Sequence, residues 1–183
     1  MVLIYQPSED SYLLQFVIKD FEIKKNSKCL DMGSGSGIQA ETLISKGIAQ
    51  KNLTLIDVNT EAIRLLKKKF KDSNVIESNL FSNPKIKKEK FDLIIFNPPY
   101  LPENPNEDKE SQIATTGGKE GSEIINKFLK QSKKHLEKDG RILLLTSSLT
   151  KGIIWNGYKK KLLAEKKLFM EKLKVWNISP KDI

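Results

Sequence analysis

Short apolar runs of the kind that form buried strands alternate along this chain with longer segments of helical periodicity. A chain that repeats strand and helix in this way folds as a mainly parallel sheet with helices on both faces, because parallel strands need a crossover connection between them. We therefore predict an α/β fold in which ligands bind beyond the carboxyl ends of the strands. The predicted strands are Cys29–Met32, Leu53–Ile56, Val75–Ile76, Phe91–Phe96 and Arg141–Thr146.

Helical spacing of apolar residues predicts further helices at both ends of this pattern. One spans 8–21, where Ser8 can serve as the N-cap, and another spans Glu120 to Lys138 and ends at Gly140. Residues 101–118 are predicted to form a long polar loop, and loops of that length inside a domain usually have a function. The last forty residues are predicted to contain a short helix near 152–160 and two apolar stretches around 162–169 and 172–178.

Length and composition indicate one globular domain. The 183 residues, 38% of them hydrophobic, can bury a full core, so we predict a single domain at 1–183. Within it, 1–25 are predicted to form an N-terminal helical segment, and 101–118 are predicted to form a loop on the side where a substrate binds. The sequence has no apolar run of the roughly 18 residues that span a bilayer and no signal-peptide pattern. The single cysteine, Cys29, cannot form an internal disulfide. We therefore expect a cytoplasmic protein.

The formal net charge is +9, from 32 basic and 23 acidic residues. Such a balance is compatible with a nucleic-acid partner. However, Arg64 and Arg141 are the only arginines, and specific phosphate and base contacts favour the planar guanidinium over lysine. A surface of solvated lysines is therefore the favoured interpretation of the charge.

A glycine-rich turn with an acidic residue before it follows the first predicted strand. Its spacing, Gly33-x-Gly35-x-Gly37, differs from the fingerprint of dinucleotide-binding proteins, and Asp31 would repel a pyrophosphate but attract an ammonium or sulfonium group. Asp57, at the end of the second strand, can accept hydrogen bonds from both hydroxyls of a ribose. Together these residues predict a site for S-adenosylmethionine. The alternative is a tight turn and a surface aspartate without a ligand.

The segment Asn97-Pro98-Pro99-Tyr100 ends the fourth predicted strand. Proline has no N–H to donate, and the proline after Asn97 holds that residue in an extended conformation. The segment can therefore offer the Asn97 side-chain oxygen and the Pro98 carbonyl as fixed acceptors for the two protons of a planar NH₂ group, with Tyr100 as an aromatic face. This pattern predicts methyl transfer to such a nitrogen without a strong base. A structural Pro-Pro turn is the alternative.

These motifs resemble those of the HemK-type class I S-adenosylmethionine-dependent methyltransferases. The opening Tyr5-Gln6-Pro7-Ser8-Glu9-Asp10-Ser11 and the later Thr116-Gly117-Gly118-Lys119-Glu120-Gly121 resemble the short archaeal and eukaryotic branch of that family. The resemblance implies a Rossmann-like, mainly parallel seven-stranded sheet with strand order 3-2-1-4-5-7-6. It also implies methylation of the glutamine side-chain amide in the Gly-Gly-Gln motif of a class I peptide release factor.

Carried over residue by residue, the resemblance implies which side chains bind the cofactor and act on the substrate. Ser11 stands where the family usually has threonine, and Asn79 stands where an aspartate usually accepts from the adenine amino group. Both departures keep an oxygen that can make the contact. The implied catalytic residues are Asn97, Pro98, Pro99 and Tyr100. The implied cofactor-binding residues are Ser11, Asp31, Gly33, Gly35, Gly37, Asp57, Val58, Asn79, Leu80 and Asn97, and no metal is implied.

Two other classes of function remain open. A nucleic-acid methyltransferase acting on adenine N6 or guanine N2, in DNA, rRNA or tRNA, would present the same planar NH₂ group to Asn97. We expect no appended target-recognition domain, and base flipping needs additional contacts. A catalytically silent scaffold that keeps only the fold is disfavoured by the intact motifs at Asp31 and Asn97.

The resemblance also implies a partner protein. Eukaryotic members of the branch work with a small zinc-binding activator subunit, and in the implied strand order the third strand lies at an edge of the sheet. That strand, 74–77, is short and apolar, so an added strand from another chain would cover it. The alternative is an edge that lysines such as Lys71 and Lys85 already protect from pairing.

Overall fold

The computed structural model describes residues 4–104, 112 and 115–181. The helices are α1 Glu9–Asp20, α2 Ile38–Ser45, α3 Thr60–Lys69 and α4 Glu123–Ser132. The strands are β1 Cys29–Met32, β2 Leu53–Asp57, β3 Asn74–Glu77, β4 Phe91–Phe96, β5 Leu101–Pro102, β6 Thr116–Gly118, β7 Leu136–Ser147, β8 Tyr158–Lys167 and β9 Lys172–Pro180.

Seven of the strands in these ranges form one sheet in the order β3-β2-β1-β4-β7-β9-β8. Numbered along the chain within this sheet, the order is 3-2-1-4-5-7-6, so the implied topology is confirmed. The pairs from β3 to β7 are parallel, whereas β9 is antiparallel to both β7 and β8. The fold is therefore the expected Rossmann-like α/β class, with an antiparallel hairpin at one edge of a parallel sheet.

Each face of the sheet packs against its own helices, because neighbouring residues of a strand point to opposite faces. On one face, Leu14 of α1, Leu43 of α2 and Leu66 of α3 belong to one buried cluster. On the other face, Phe128 of α4 and Ile86 belong to a second buried cluster. The helices thus cover both faces, as the alternation of strands and helices predicts.

The N-terminal half follows the sequence prediction closely. The predicted strands β1 to β4 are confirmed to within one or two residues, and the Asn59 side chain caps α3 by accepting from the Glu61 backbone N–H at 2.9 Å. The helix predicted at 8–21 is α1, and Ser8 occupies its N-cap position. Its side chain makes no capping hydrogen bond within the described ranges, so that part of the prediction was wrong.

The helix predicted from Glu120 to Lys138 is shorter than expected. It ends at Ser132, and β7 begins at Leu136, which pairs with Phe91 of β4. The register between β4 and β7 then shifts, and a Cβ atom at Gly140 would lie 2.8 Å from the Phe91 carbonyl oxygen. Gly140 therefore does not end a helix but allows close approach of two strands at an irregular pairing.

The short helix predicted near 152–160 is also wrong. Residues 151–157 form neither helix nor strand, with a turn at 156–157, and the two apolar stretches that follow are the strands β8 and β9. Tyr158 starts β8 as a buried residue whose hydroxyl donates to the Leu129 carbonyl at 2.9 Å. The lysine run at 159–161 therefore lies on an edge strand and not on a helix, and edge lysines discourage pairing with other chains.

The predicted loop at 101–118 contains a short strand at each end. β5 and β6 form a parallel pair, separate from the large sheet, in which Leu101 pairs with Thr116. Most of the stretch between them lies outside the described residues. Among the described helices, none combines the length and the apolar character needed to cross a bilayer.

Candidate active site

A cavity of about 420 Å³ lies at the carboxyl ends of β1, β2 and β4. This is the edge at which sheets of this type bind ligands. Parallel pairing of the three strands brings together polar side chains that are far apart in sequence. The predicted site residues that line the cavity are Ser11, Asp31, Gly33, Gly35, Asp57, Val58, Asn79, Leu80, Asn97, Pro98, Pro99 and Tyr100.

Gly37, unlike the other predicted site residues, does not line the cavity. It precedes α2 with a φ of 83°, and a Cβ atom there would lie 2.5 Å from the ring of Phe70, at the end of α3. Only glycine combines this backbone conformation with such a close neighbour. Gly37 therefore lets α2 begin directly after the turn. The position requires glycine because a side chain there would collide with Phe70.

Asp31 is a buried carboxyl group whose Oδ2 has no hydrogen-bond partner in the described part of the chain. Burial, and then the negative charge of the neighbouring Asp57, raises the pKa of Asp31 from 3.8 to about 8. A cation placed beside Asp31 would oppose both effects, because an opposite charge stabilises the ionised form. This side of the cavity therefore fits a ligand that carries an ammonium or sulfonium group.

The carboxylate of Asp57 is fixed by two backbone N–H groups. Its Oδ2 accepts from Gly35 and its Oδ1 from Asn59, both at 2.8 Å. Burial raises the pKa of Asp57, while these backbone hydrogen bonds act to lower it. Each carboxylate oxygen can accept more than one hydrogen bond. Asp57 can therefore still accept from the two hydroxyls of a ribose.

The loop after β3 brings Asn79 and Leu80 to the cavity. Leu80 has a φ of 53°, in the left-handed region, which costs a residue other than glycine about 1–3 kcal/mol and is concentrated at functional sites. The Leu80 carbonyl accepts from the Ser78 hydroxyl at 2.8 Å, and the Ser78 N–H donates to the Asp57 carbonyl at 2.9 Å. These bonds tie the loop to the end of β2, beside the carboxylate of Asp57.

The side-chain amide of Asn97 is held by a carboxylate on α1. Its Nδ2 donates to Asp10 Oδ2 at 3.1 Å. Its Oδ1 is buried and has no partner within the described ranges. After the two prolines, the Tyr100 N–H donates to the Thr115 carbonyl at 3.0 Å and the Tyr100 carbonyl accepts from the Thr150 hydroxyl at 2.8 Å. The segment therefore has a fixed backbone and one unsatisfied acceptor on a residue that lines the cavity.

Comparison with known proteins identifies the family of the chain that carries this site. Residues 12–153 match the model of the methyltransferase small domain. The chain belongs to the methyltransferase small domain family. It is an S-adenosylmethionine-dependent N-methyltransferase, and its identification from sequence motifs as a HemK-type enzyme is confirmed.

Relatives of this methyltransferase are known in sequence and in structure. It is 37% identical to "Putative protein N5-glutamine methyltransferase MJ0928" of Methanocaldococcus jannaschii, over 95% of this chain and 90% of that one. It is 31% identical to the release factor glutamine methyltransferase of Aquifex aeolicus, over 78% of this chain and 54% of that one. A chain of the E. cuniculi Mtq2–Trm112 complex superposes with a TM-score of 0.75 over 99% of this chain and 100% of that chain, and its 22% identity shows a common fold.

Asp10 is a residue of the methyltransferase site that the sequence analysis did not single out. The carboxylate is buried and accepts from the Tyr5 hydroxyl at 3.0 Å, from the Ser11 N–H at 2.6 Å and, at 3.5 Å, from the Tyr100 hydroxyl, in addition to Asn97. Burial, followed by the Asp10 charge, raises the pKa of both tyrosines, which therefore remain protonated donors. The available signal was the position of Asp10 next to Ser11 in the opening motif.

Gln39 is a second residue of the methyltransferase site that sequence reasoning missed. Its Nε2 donates to the Ser11 carbonyl at 2.9 Å, and its Oε1 is buried without a partner in the part of the chain that the structure describes. Gln39 also lines the cavity. A lone glutamine in the first turn of a helix has no distinctive sequence pattern, so only the packing of α1 against α2 reveals it.

Proposed function

We propose that this methyltransferase acts on the side-chain amide nitrogen of the glutamine in the Gly-Gly-Gln motif of a class I peptide release factor. The observation that carries the proposal is the hydrogen bond from Asn97 Nδ2 to Asp10, which fixes the Asn97 amide and leaves its buried Oδ1 as an acceptor. The names of two relatives support the substrate, since one specifies glutamine N5 methylation and the other a release factor glutamine.

The amide NH₂ of glutamine is a weak nucleophile because its lone pair is delocalised. Asn97 Oδ1 can accept one of its protons and the Pro98 carbonyl the other, which orients the nitrogen and favours its rehybridisation in the transition state. S-adenosylmethionine, when bound, supplies the methyl group on a sulfonium, which is an excellent leaving group. The glutamine nitrogen gains the methyl carbon and releases one proton to solvent, so no protein base is required.

We assign the cofactor contacts by the chemistry of the side chains in the cavity wall. Asp31 pairs with the ammonium group, Asp57 accepts from the ribose hydroxyls, and Asn79 accepts from the adenine amino group. The unpaired Oδ2 of Asp31 and the fixed carboxylate of Asp57 support this arrangement. The remaining contacts are made by Ser11, Gly33, Gly35, Val58, Leu80 and Asn97, while Gly37 shapes the turn.

The residues that line the cavity also indicate what each segment of the chain contributes to the site. We propose that 1–183 work as one domain, with 1–25 contributing Asp10 and Ser11 and with 101–118 facing the substrate. The pairing of Leu101 with Thr116, both of which line the cavity, supports a substrate-side position for 101–118. An enzyme that modifies a translation factor would work in the cytoplasm.

A small zinc-binding activator subunit is the second partner that we propose, paired with β3. This strand is one edge of the sheet, and it carries no lysine, with Val75 half-buried and Glu77 exposed. The opposite edge, β8, carries five lysines, which discourage pairing. The contrast leaves β3 as the edge suited to an added strand, and the fold neighbour from E. cuniculi was solved together with Trm112.

Methyl transfer to defined substrates tests the proposed function. The full chain is incubated with S-adenosylmethionine and the class I release factor of the same organism, and the modified residue is located by mass spectrometry. We expect one methyl group on the glutamine of the Gly-Gly-Gln motif and none on a release factor in which that glutamine is alanine. Methylation of rRNA, tRNA or DNA at an exocyclic amine, with the release factor unmodified, would replace the proposal with the nucleic-acid alternative.

A further inference from the structure

The turn that joins β8 to β9, residues 168–171, carries two exposed apolar side chains. Phe169 is 98% exposed and Met170 is 78% exposed. The turn is tight, because the Leu168 N–H donates to the Glu171 carbonyl at 2.8 Å. Tight turns favour small or polar residues such as glycine, asparagine and aspartate. Neither side chain is required by the turn, and both contribute little buried area to the fold.

The turn is held in place on both sides. Leu168 packs against the core cluster that contains α1, and the Glu171 carboxylate accepts from the Ser147 hydroxyl at the end of β7. Near the end of β8, Lys166 pairs with Glu9 in the first turn of α1. We call Phe169 and Met170 the hairpin tip. These two side chains are therefore exposed to solvent on a turn that the contacts of its neighbours hold in position.

The hairpin tip lies at the same edge of the sheet as the cavity. β7 runs parallel to β4, with Leu144 opposite Phe96, and continues past that level to Ser147, where it pairs with Leu173 of β9. The tip is therefore beyond the carboxyl ends of β4 and β7, the level at which Asn97 follows β4. The position of Glu171 agrees with this placement, because its charge adds to the burial and the Asp10 charge that raise the pKa of Tyr100.

We propose that the hairpin tip is a docking element for the protein substrate, an inference that rests on the proposed function. A glutamine on a folded protein reaches Asn97 only when the surface around it docks across the mouth of the cavity. Aromatic residues and methionine are enriched at the centres of protein interfaces, and methionine adapts to irregular surfaces. Lys167 and Lys172 flank the turn, and of these Lys172 pairs with Glu165. The exposed charge of Lys167 beside the apolar tip therefore matches a substrate surface with an apolar patch and an acidic group at its rim.

A comparison of two substrates separates docking from chemistry. The double variant Phe169→Ser, Met170→Ser is measured with the release factor and with a short peptide that contains Gly-Gly-Gln, using any activator that copurifies with the wild type. We expect the KM for the release factor to rise about tenfold or more, with kcat, S-adenosylmethionine affinity and turnover of the peptide unchanged. The matched control is Leu162→Ser, an exposed leucine farther back along β8, which should leave the KM for the release factor unchanged.

Four other outcomes would overturn the inference. An unchanged KM for the release factor would remove the docking role while leaving the proposed function in place. An equal loss with peptide and release factor would show that the turn acts on the site geometry. Failure of the wild type to methylate either substrate would overturn the proposed function together with this inference. Binding of the wild type, but not the double variant, to vesicles of anionic phospholipid with unchanged release-factor kinetics would assign the tip to a membrane surface.

Discussion

The Nδ2 of Asn97 donates a hydrogen bond to Asp10 Oδ2 at 3.1 Å, which joins the end of β4 to the first turn of α1 across 87 residues of sequence. This bond sets the orientation of the amide, because the reverse orientation would place the Asn97 oxygen against a carboxylate. The buried Oδ1 is thereby left without a partner in the described part of the chain, on a residue that lines the cavity. Asp10 is therefore a positioning residue for the acceptor that the proposed reaction needs.

The role of Asp10 predicts the effect of Asp10→Asn. An asparagine at this position can donate to Asn97 Oδ1, so the amide can turn and present its NH₂ to the substrate. We expect kcat to fall about 10²-fold, the size of effect typical for one lost transition-state hydrogen bond, while S-adenosylmethionine affinity changes much less. Tyr5→Phe is the control, because it removes a donor to Asp10 but keeps the bond to Asn97. Steady-state kinetics in which Asp10→Asn matches the wild type would remove this role.

The assignment of Asp57 to the ribose predicts a loss of cofactor affinity in Asp57→Asn. The substitution removes the charge and one of the two acceptors of a charge-assisted pair of hydrogen bonds. We expect binding to weaken by about 1.5–3 kcal/mol, which is roughly 10- to 150-fold in Kd by calorimetric titration. Asn79→Asp should leave the affinity equal or higher, since it restores a carboxylate toward the adenine amino group. Unchanged binding in Asp57→Asn would refute the assignment.

The raised pKa of Asp31 predicts how stability depends on pH. Its pKa is about 8 in the folded protein against an ordinary 3.8, so the folded state binds more protons than the unfolded state between about pH 4 and pH 8. The free energy of unfolding should therefore fall as pH rises through that window. Asp31→Asn removes this titration, so the variant should match the wild type near pH 4 and exceed it at pH 8. Urea unfolding curves whose pH dependence is the same for both proteins would contradict the raised pKa of the buried Asp31 carboxyl group.

Most of the parallel half of the sheet could be predicted because its signals are local. The strands that end in Asp57 and Asn97 are short apolar runs stopped by polar residues, and topology alone then brings their ends to one edge. The pairing of Asp10 with Asn97 has no local signal, since it depends on how α1 packs against α2 and the C-terminal strands β7, β8 and β9. Gln39 was missed for the same reason.

The C-terminal errors have a different physical cause. Lysines dominate β8, because an edge strand can expose most of its side chains, and a run of lysines such as 159–161 is equally compatible with a solvated helix. At Gly140 the chain approaches the Phe91 carbonyl within a sheet, a contact that a glycine after a helical pattern does not reveal. Both features are fixed by strand pairing between distant segments, which single-sequence periodicity does not report.

The proposed activator predicts a separable effect of Val75→Lys. Val75 is half-buried on the edge strand β3, so a lysine there can extend into solvent without unfolding the sheet, while an added strand would meet an extra charge. We expect activity and solubility to rise on co-expression with the activator and the complex to be lost in Val75→Lys, as judged by gel filtration. The exposed Leu162→Lys on the opposite edge strand is the control and should leave the complex intact. A wild-type chain that is fully active alone would argue against the partner.

The kinetics of Asn97→Ala test the central claim, that the Asn97 oxygen positions the substrate amide. The measurement is single-turnover methylation of the release factor glutamine at saturating S-adenosylmethionine, with cofactor binding and unfolding followed on the same protein. We predict a rate about 10²–10³-fold below the wild type, together with a folded protein that still binds the cofactor. A folded, cofactor-binding Asn97→Ala variant that methylates the release factor at the wild-type rate would contradict the account.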